Sequence, residues 1–168
     1  MFEQRDAKRV VEVKPSQNRL RIDKDRLSIS VRSERAGYVY VAFEGSDNET
    51  LDLLFPNDKD QHNRIEAGQT MLLPRDDWRI TAGGPVGKDT VLVLVTDAPR
   101  DIASLRGTKT GPFQSSLNDA TGRAQLGSLF TTAHLANAPQ CSSAASRGNS
   151  TACSDAYGAA MITLEEVK

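Results

Sequence analysis

The two histidines, His62 and His134, are the side chains best suited to proton transfer, because an imidazole titrates close to neutral pH. Neither has a sequence neighbour that indicates a catalytic triad. Both lie in polar segments, which is typical of exposed loop histidines. We therefore predict no catalytic residue and keep, as an alternative, a hydrolase in which one histidine acts with an acidic partner.

A group of oxygen-bearing side chains follows a predicted strand at Asn57, Asp58, Asp60 and Asn63. Such oxygens are the ligands that Ca²⁺ prefers, but the group lacks the ligand spacing and the terminal glutamate of an EF-hand. A solvated turn explains the pattern better. We predict neither a metal site nor a cofactor here.

The glycine-rich segment 83–88 resembles a phosphate-binding loop only superficially. A P-loop needs glycine where Ala82 stands, serine or threonine where Asp89 stands, and a helix after it. The segment is instead predicted to be a turn between strands. The 21 basic and 22 acidic side chains nearly cancel, which argues against a nucleic-acid partner.

Two cysteines, Cys141 and Cys153, lie in a stretch rich in serine, alanine and glycine. A disulfide between them would close a loop of about 13 residues and stabilise the fold by on the order of 3 kcal/mol in the chain-entropy model. We favour this disulfide, which implies an oxidising compartment, over two unrelated buried thiols. Residues 1–6 are charged and contain no secretory signal, so we expect either a cytoplasmic chain or a piece of a longer protein.

The elements that position these side chains are predicted to be short strands. Leu27, Ile29 and Val31 alternate with polar residues, as in a strand with one buried face. The run 91–95 is apolar on both faces and is predicted to lie centrally in a sheet. Within one predicted strand, Val39, Val41 and Phe43 are expected to share a face, while Tyr38 and Tyr40 are expected to point outward. Within the next, Leu51, Leu53 and Phe55 are expected to share a face.

The sequence pattern beyond residue 97 no longer indicates regular strands. Asp97 is predicted to cap a short helical turn, and residues 119–135 have loosely helical spacing. The chain ends in a predicted strand that returns to the sheet. We therefore predict one all-β domain over 1–168, a β-sandwich of immunoglobulin-like or related type. Its core spans about 18–97 plus the final strand at about 157–166, with a partly helical, irregular insertion at about 98–156.

Several segments resemble a bacterial family, the domain of unknown function 4384, over roughly residues 20–105. The segments that carry this resemblance are Leu53-Leu54-Phe55-Pro56-Asn57, Asn63-Arg64-Ile65, Ala67-Gly68-Gln69, Leu73-Pro74, Gly37-Tyr38-Val39-Tyr40-Val41 and Gly84-Pro85-Val86-Gly87. The remainder, through Cys153-Ser154-Asp155-Ala156-Tyr157, is similar to a longer version at the carboxyl end of serine/threonine kinases associated with type VI secretion. The resemblance implies a periplasmic domain joined to the membrane only through a tether outside this chain.

The function that the resemblance implies is a non-catalytic sensor or protein-interaction module. The kinase motifs H-R-D and D-F-G do not occur. We expect the partner to be an envelope or secretion-system protein that meets exposed loops such as 56–64 and 83–88. A scaffold domain of a secretion assembly is the alternative, followed by an envelope hydrolase. The candidate binding residues are Tyr38, Tyr40, Asn57, Asp58, Asp60, His62 and Arg64.

Overall fold

Apolar side chains at every second position build the strands of this chain, which outweigh its helical segments, and the result is a mostly β, sandwich-like fold. A computed structural model describes residues 1–75, 77–131 and 155–168. The strands are β1 (Val11–Pro15), β2 (Arg19–Arg21), β3 (Ile29–Ser33), β4 (Gly37–Glu44), β5 (Thr50–Phe55), β6 (Arg64–Ile65), β7 (Thr70–Leu73), β8 (Gly87–Thr96), β9 (Thr108–Thr110), β10 (Phe113–Leu117) and β11 (Tyr157–Val167). The helical segments are α1 (Ala120–Ser128) and two 3₁₀ turns, Phe2–Gln4 and Ile102–Ser104.

The strands form two sheets of unequal size. The small sheet has the order β1-β3-β7, and the large sheet has the order β2-β11-β8-β4-β5-β10-β9, with β6 paired to the start of β4. Neighbours are antiparallel except β2 and β11. The predicted central position of residues 91–95 is confirmed, because β8 lies between β4 and β11 and all five side chains are buried. The returning final strand is confirmed as β11.

The first core lies between the two sheets. Alternate residues of β4 and β8 meet the inner faces of β3 and β7, so the predicted two-residue period of residues 27–31 is confirmed. Trp78 is also buried here. The fully buried members of this core include Val31, Val39, Phe55, Ile65, Val91 and Val93.

A second core covers the opposite face of the large sheet. Leu126, Leu129 and Phe130, in and just after α1, pack against Tyr40 and Leu94. Asp119 caps α1 by accepting a 2.8 Å hydrogen bond from the backbone N–H of Gly122. Strands β4 and β8 are therefore buried on both faces, and the expectation that Tyr40 points outward is wrong because its side chain is 1% exposed.

The alternation of β5 breaks at its end. Leu51 and Leu53 face the second core, but Phe55 faces the first, so these three residues do not share one face as predicted. The cause is a register shift between Val41 and Ala42 in the pairing of β4 with β5, because one extra residue reverses the side-chain direction.

The segment predicted as an irregular insertion, about 98–156, contains β9, β10 and α1 among its described residues. Asp101, and not Asp97, caps the 3₁₀ turn, because its side chain accepts a hydrogen bond from the backbone N–H of Ala103. His134, Cys141 and Cys153, together with the disulfide predicted for the cysteines, lie outside the described residues. No helix among the described residues is both long and apolar enough to cross a bilayer.

Candidate recognition surface

Asp60 anchors the turn between β5 and β6 from the inside. Its side chain is only 8% exposed and binds the guanidinium of Arg75 through both oxygens, with Nε 2.6 Å from Oδ2. Trp78 Nε1 donates a second hydrogen bond to Oδ2, and the backbone N–H of His62 donates one to Oδ1. Burial alone would raise the pKa of Asp60, but the hydrogen bonds from Arg75 and Trp78 outweigh it and lower that pKa below its ordinary value.

Asn57 closes the same turn through its amide group. Its Nδ2 donates to the carbonyl of Leu54 at 2.8 Å, and its Oδ1 accepts from the backbone N–H groups of Lys59 and Asp60. This arrangement is an Asx turn, in which a short polar side chain replaces a backbone partner. Asn57 is 5% exposed, so the prediction of a wholly solvated turn is wrong for Asn57 and Asp60.

Aromatic rings support the turn from below. The ring of Trp78 stacks on that of Phe55 at a centroid distance of 6.1 Å, and Phe113 meets Trp78 edge-on at 5.8 Å. Arg75 lies over the Phe55 ring at 5.3 Å. The ion pair of Asp60 with Arg75 and the stacked rings of Phe55 and Trp78 thus hold the backbone of the turn in one conformation.

Several other side chains of the turn are exposed, whereas Asn63 Nδ2 donates a 3.1 Å hydrogen bond to the carbonyl of Val39. Asp58 and Gln61 are exposed, and His62 is 96% exposed, which confirms the expected loop histidine. The His62 Nδ1 lies 4.0 Å from Asp60 Oδ1, an oxygen that already accepts hydrogen bonds from Arg75 and from the backbone of His62 itself.

An open cleft of about 410 Å³ lies beside the turn, on the sheet face that carries the second core. The cleft spans three neighbouring strands, since Gln114 of β10 pairs with Leu53 of β5 and with Lys109 of β9. The 3₁₀ turn Ile102–Ser104 contributes Ile102, and Leu105 just after this turn adds a second apolar side chain. α1 covers this face of the large sheet over β4 and β8. The cleft lies on the uncovered part of the same face, towards β9.

The rim of the cleft is polar and carries both charges. Asp58 accepts a hydrogen bond from Lys109 Nζ at 2.5 Å, and the two side chains are 51% and 60% exposed. An exposed ion pair of this kind is worth only about 0–1 kcal/mol, so either charge is available to another partner. Gln61 and Gln114 add amide donors and acceptors.

The other predicted positions lie elsewhere. Tyr40 belongs to the second core, where its hydroxyl accepts a 2.6 Å hydrogen bond from the backbone N–H of Arg100. Tyr38 is partly buried against the same core, with the exposed Arg64 guanidinium 5.9 Å from its ring centre. Of the predicted residues, the structure brings only Asn57 and Asp58 to the cleft. Lys109 and Gln114 were missed, because pairing of β10 with a strand about 60 residues earlier leaves no local sequence signal.

Metal ligands do not converge on this surface. Within residues 1–75, 77–131 and 155–168, no group of three or more histidine, cysteine, aspartate or glutamate side chains is placed to hold a metal ion. The cleft itself offers apolar contact and charges of both signs, which are means of recognition.

Comparison with known families gave a match over part of the chain. Residues 20–99, from β2 to just past β8, match the family described as Domain of unknown function (DUF4384), in agreement with the resemblance noted in the sequence. No curated protein and no solved structure showed significant similarity to the chain. The matched segment contributes Leu53, Asp58 and Gln61 to the cleft, while Ile102, Lys109 and Gln114 lie beyond it.

Proposed function

We propose, on the premise that residues 20–99 carry the DUF4384 domain, that this chain is a non-catalytic recognition module. Its ligand is an extended segment of a protein partner that lies in the cleft beside β9. The observation that carries the proposal is the combination of a fixed turn with an open groove. Asp60 holds the turn from inside, so Asp58 and Gln61 reach the cleft from a rigid backbone.

Preorganisation favours binding because a rigid surface loses little conformational entropy when the partner arrives. The apolar floor at Leu53, Ile102 and Leu105 suits one or two hydrophobic side chains of the partner. The ion pair at the rim, Asp58 and Lys109, suits a segment with charges of both signs. It would favour partners whose charges are spaced to meet these two side chains.

An extended partner is favoured by the strand at the edge of the cleft. β9 is the last strand in the order of the described part of the large sheet, and all three of its residues are exposed. No other described strand pairs with its outer edge, which suits strand addition, a common way in which sheets bind peptides. Lys109, at the centre of β9, also lines the cleft, so one segment can use both features.

We further propose that the module works in the periplasm, as the carboxyl-terminal part of a type VI secretion-associated serine/threonine kinase. The support is the sequence resemblance over residues 20–105 and 153–166, together with a cysteine pair suited to an oxidising compartment. The partner would then be an envelope or secretion-system protein.

Site-specific photocrosslinking in the native host tests recognition at the cleft. A benzophenone amino acid at Gln61, within the full-length protein, is expected to give a discrete protein adduct, whereas the same probe at Glu12 on the small sheet is not. Lys109→Glu is expected to reduce the Gln61 adduct at least tenfold. Lys14→Glu, an equal charge change on the exposed face of β1, should leave it intact. No adduct from Gln61, or equal loss with both substitutions, would contradict the proposal.

The compartment is tested separately. Alkaline phosphatase, which folds only where its disulfides form, is fused to the carboxyl end of the full-length protein. Activity in intact cells is expected for a periplasmic module. An inactive fusion with full expression rejects the periplasmic location and leaves recognition at the cleft to the crosslinking result.

A further inference from the structure

Two acidic side chains are buried together at the end of the sandwich away from the cleft. Asp89, near the start of β8, lies opposite Leu164 of β11, and Glu166 lies two residues further along that strand. Because side chains alternate along a strand, Asp89, Leu164 and Glu166 point to the same face of the sheet. This is the face of Val91 and Val93, which carry the first core. Asp89 is 2% exposed and Glu166 is 6% exposed.

Each carboxylate holds one loop. Asp89 Oδ1 accepts a 2.9 Å hydrogen bond from the backbone N–H of Ser46, in the turn after β4. Glu166 Oε2 accepts one from the backbone N–H of Gly84, in the loop before β8. The two loops also meet directly, since Ser46 Oγ donates to the carbonyl of Pro85 at 3.0 Å. The acid pair therefore ties the loop 45–49 to the loop 83–86.

No basic side chain in the described part of the chain pairs with these two carboxylates. Among the described residues, neither carboxylate forms an ion pair, and the second oxygen of Asp89, Oδ2, is buried without a hydrogen-bond partner. The ionisable groups that act on Asp89 are Glu166 on β11 and Asp47 in the turn after β4, and both are acidic. Lys88 on its own strand and Glu165 on β11 are exposed, and strand alternation directs them to the other face, where Glu165 pairs with Arg19.

Burial in this setting, reinforced by the negative charge of Glu166 and of Asp47, raises the pKa of Asp89 to about 6, against the opposing effect of the hydrogen bond from Ser46. A buried carboxyl next to a second one binds a proton because two uncompensated charges in a low-dielectric site are costly.

We propose that Asp89 and Glu166 form a proton-binding site, and that proton uptake by Asp89 tightens the junction between the loops 45–49 and 83–86. When Asp89 loses the proton, repulsion from Glu166 favours separation of the two loops and entry of water. The site lies apart from the recognition cleft and does not depend on its function.

A proton suits this site better than a metal ion. Oδ2 of Asp89 is closed to solvent, and the described residues place no third histidine, cysteine, aspartate or glutamate with the pair in a metal-binding arrangement. A metal ion at such a site would need several oxygen ligands and room for them.

The sign of the pH effect follows from the direction of the shift. Asp89 binds a proton more tightly in the closed form than in an open, hydrated form, where its pKa is near 3.8. The open form is therefore increasingly favoured as the pH rises from about 4 to about 6, by up to about tenfold per pH unit. Above about pH 6 the opening equilibrium levels off, because both forms are then ionised.

Two NMR measurements on the 168-residue chain test the site. The carboxyl carbon of Asp89 is expected to titrate near pH 6, and at a lower pH in Glu166→Gln that still lies above the ordinary value of 3.8, because burial remains. Hydrogen exchange at the Ser46 and Gly84 amides, corrected for intrinsic rates, should accelerate between pH 4 and 6 in the wild type, and stay flat for Ser46 in Asp89→Asn. Glu165→Gln, the neighbouring position on the opposite face of β11, should match the wild type in both measurements.

Each alternative outcome is distinct. A wild-type midpoint near 4, a midpoint unchanged by Glu166→Gln, or pH-independent exchange at both amides would overturn the proposal. So would Ca²⁺ at 5 mM slowing exchange at Ser46 at pH 7, because that result would make the pair a cation site. The titration of the wild-type chain and of Glu166→Gln decides the matter even where Asp89→Asn does not fold.

Discussion

The indole Nε1 of Trp78 donates a 3.2 Å hydrogen bond to Oδ2 of Asp60, and the two residues are 5% and 7% exposed. This contact joins the turn after β5 to an aromatic residue 18 positions later. It makes a polar turn part of the first core, so the geometry of the proposed recognition surface depends on the stability of the fold.

Asp60→Ala is expected to lower the free energy of unfolding by about 3 kcal/mol, because it leaves Arg75 and the buried Trp78 N–H without their shared acceptor. Asp58→Ala, two residues away, removes only an exposed ion pair and should cost less than about 1 kcal/mol. Urea unfolding followed by fluorescence of Trp78, the sole tryptophan, measures both. Equal losses in the two variants would contradict the role of Asp60 as an anchor.

The contribution of Asp60 depends on pH with a defined sign. The pKa of Asp60 is lowered in the folded chain, so its stabilising effect is full above the unfolded pKa near 3.8 and disappears as the pH falls through the folded value. The difference in urea midpoint between wild type and Asp60→Asn should therefore be constant above about pH 5 and shrink towards pH 2. Titration of Asp89 is common to both proteins and cancels. A difference that stays constant down to pH 2 would show that the carboxylate charge contributes nothing.

The residues just after α1 should be as important to the fold as the sheets. Leu129 is fully buried in the second core, and Leu129→Ala is expected to cost about 2–5 kcal/mol through lost contacts and the cavity that remains. Leu117, 68% exposed at the end of β10, is the matched control, and Leu117→Ala should change stability by less than about 0.5 kcal/mol. Urea unfolding compares the two, and a small loss for Leu129→Ala would mean that the second core contributes little.

The sequence was sufficient for those parts of the fold that depend on local alternation. Leu27, Ile29 and Val31 repeat with a period of two, and residues 91–95 are apolar throughout, so β3 and the centre of β8 could be located from pattern alone. The second core could not be located in this way, because Tyr40, Leu94 and Leu129 are far apart in the chain. In addition, α1 has only a weak apolar stripe. The same pattern could not distinguish an outward Tyr40 from one covered by a later segment.

The candidate site was predictable in part for a related reason. Asn57 and Asp58 were selected because asparagine and aspartate cluster in turns, and that local chemistry places them correctly beside β5. The burial of Asp60 depends on Arg75 and Trp78, which follow 15 and 18 residues later, after β6 and β7. Lys109 reaches Asp58 only because β9 and β10 extend the large sheet beyond β5, a non-local pairing that turn chemistry does not encode.

Two glycines in α1 should respond in opposite ways to the same substitution. A Cβ at Gly122 would overlap the carbonyl oxygen of Leu117, so Gly122→Ala is expected to displace α1 from β10 and to destabilise the fold by about 1–3 kcal/mol. A Cβ at Gly127 would meet no atom of the described residues within 4 Å, so Gly127→Ala should stabilise the helix by about 0.5–1 kcal/mol through helix propensity. Thermal and urea unfolding of the two variants measure the signs directly. A stabilising Gly122→Ala would show that α1 does not pack against the end of β10 in this way, since close approach to the Leu117 carbonyl is what excludes a side chain there.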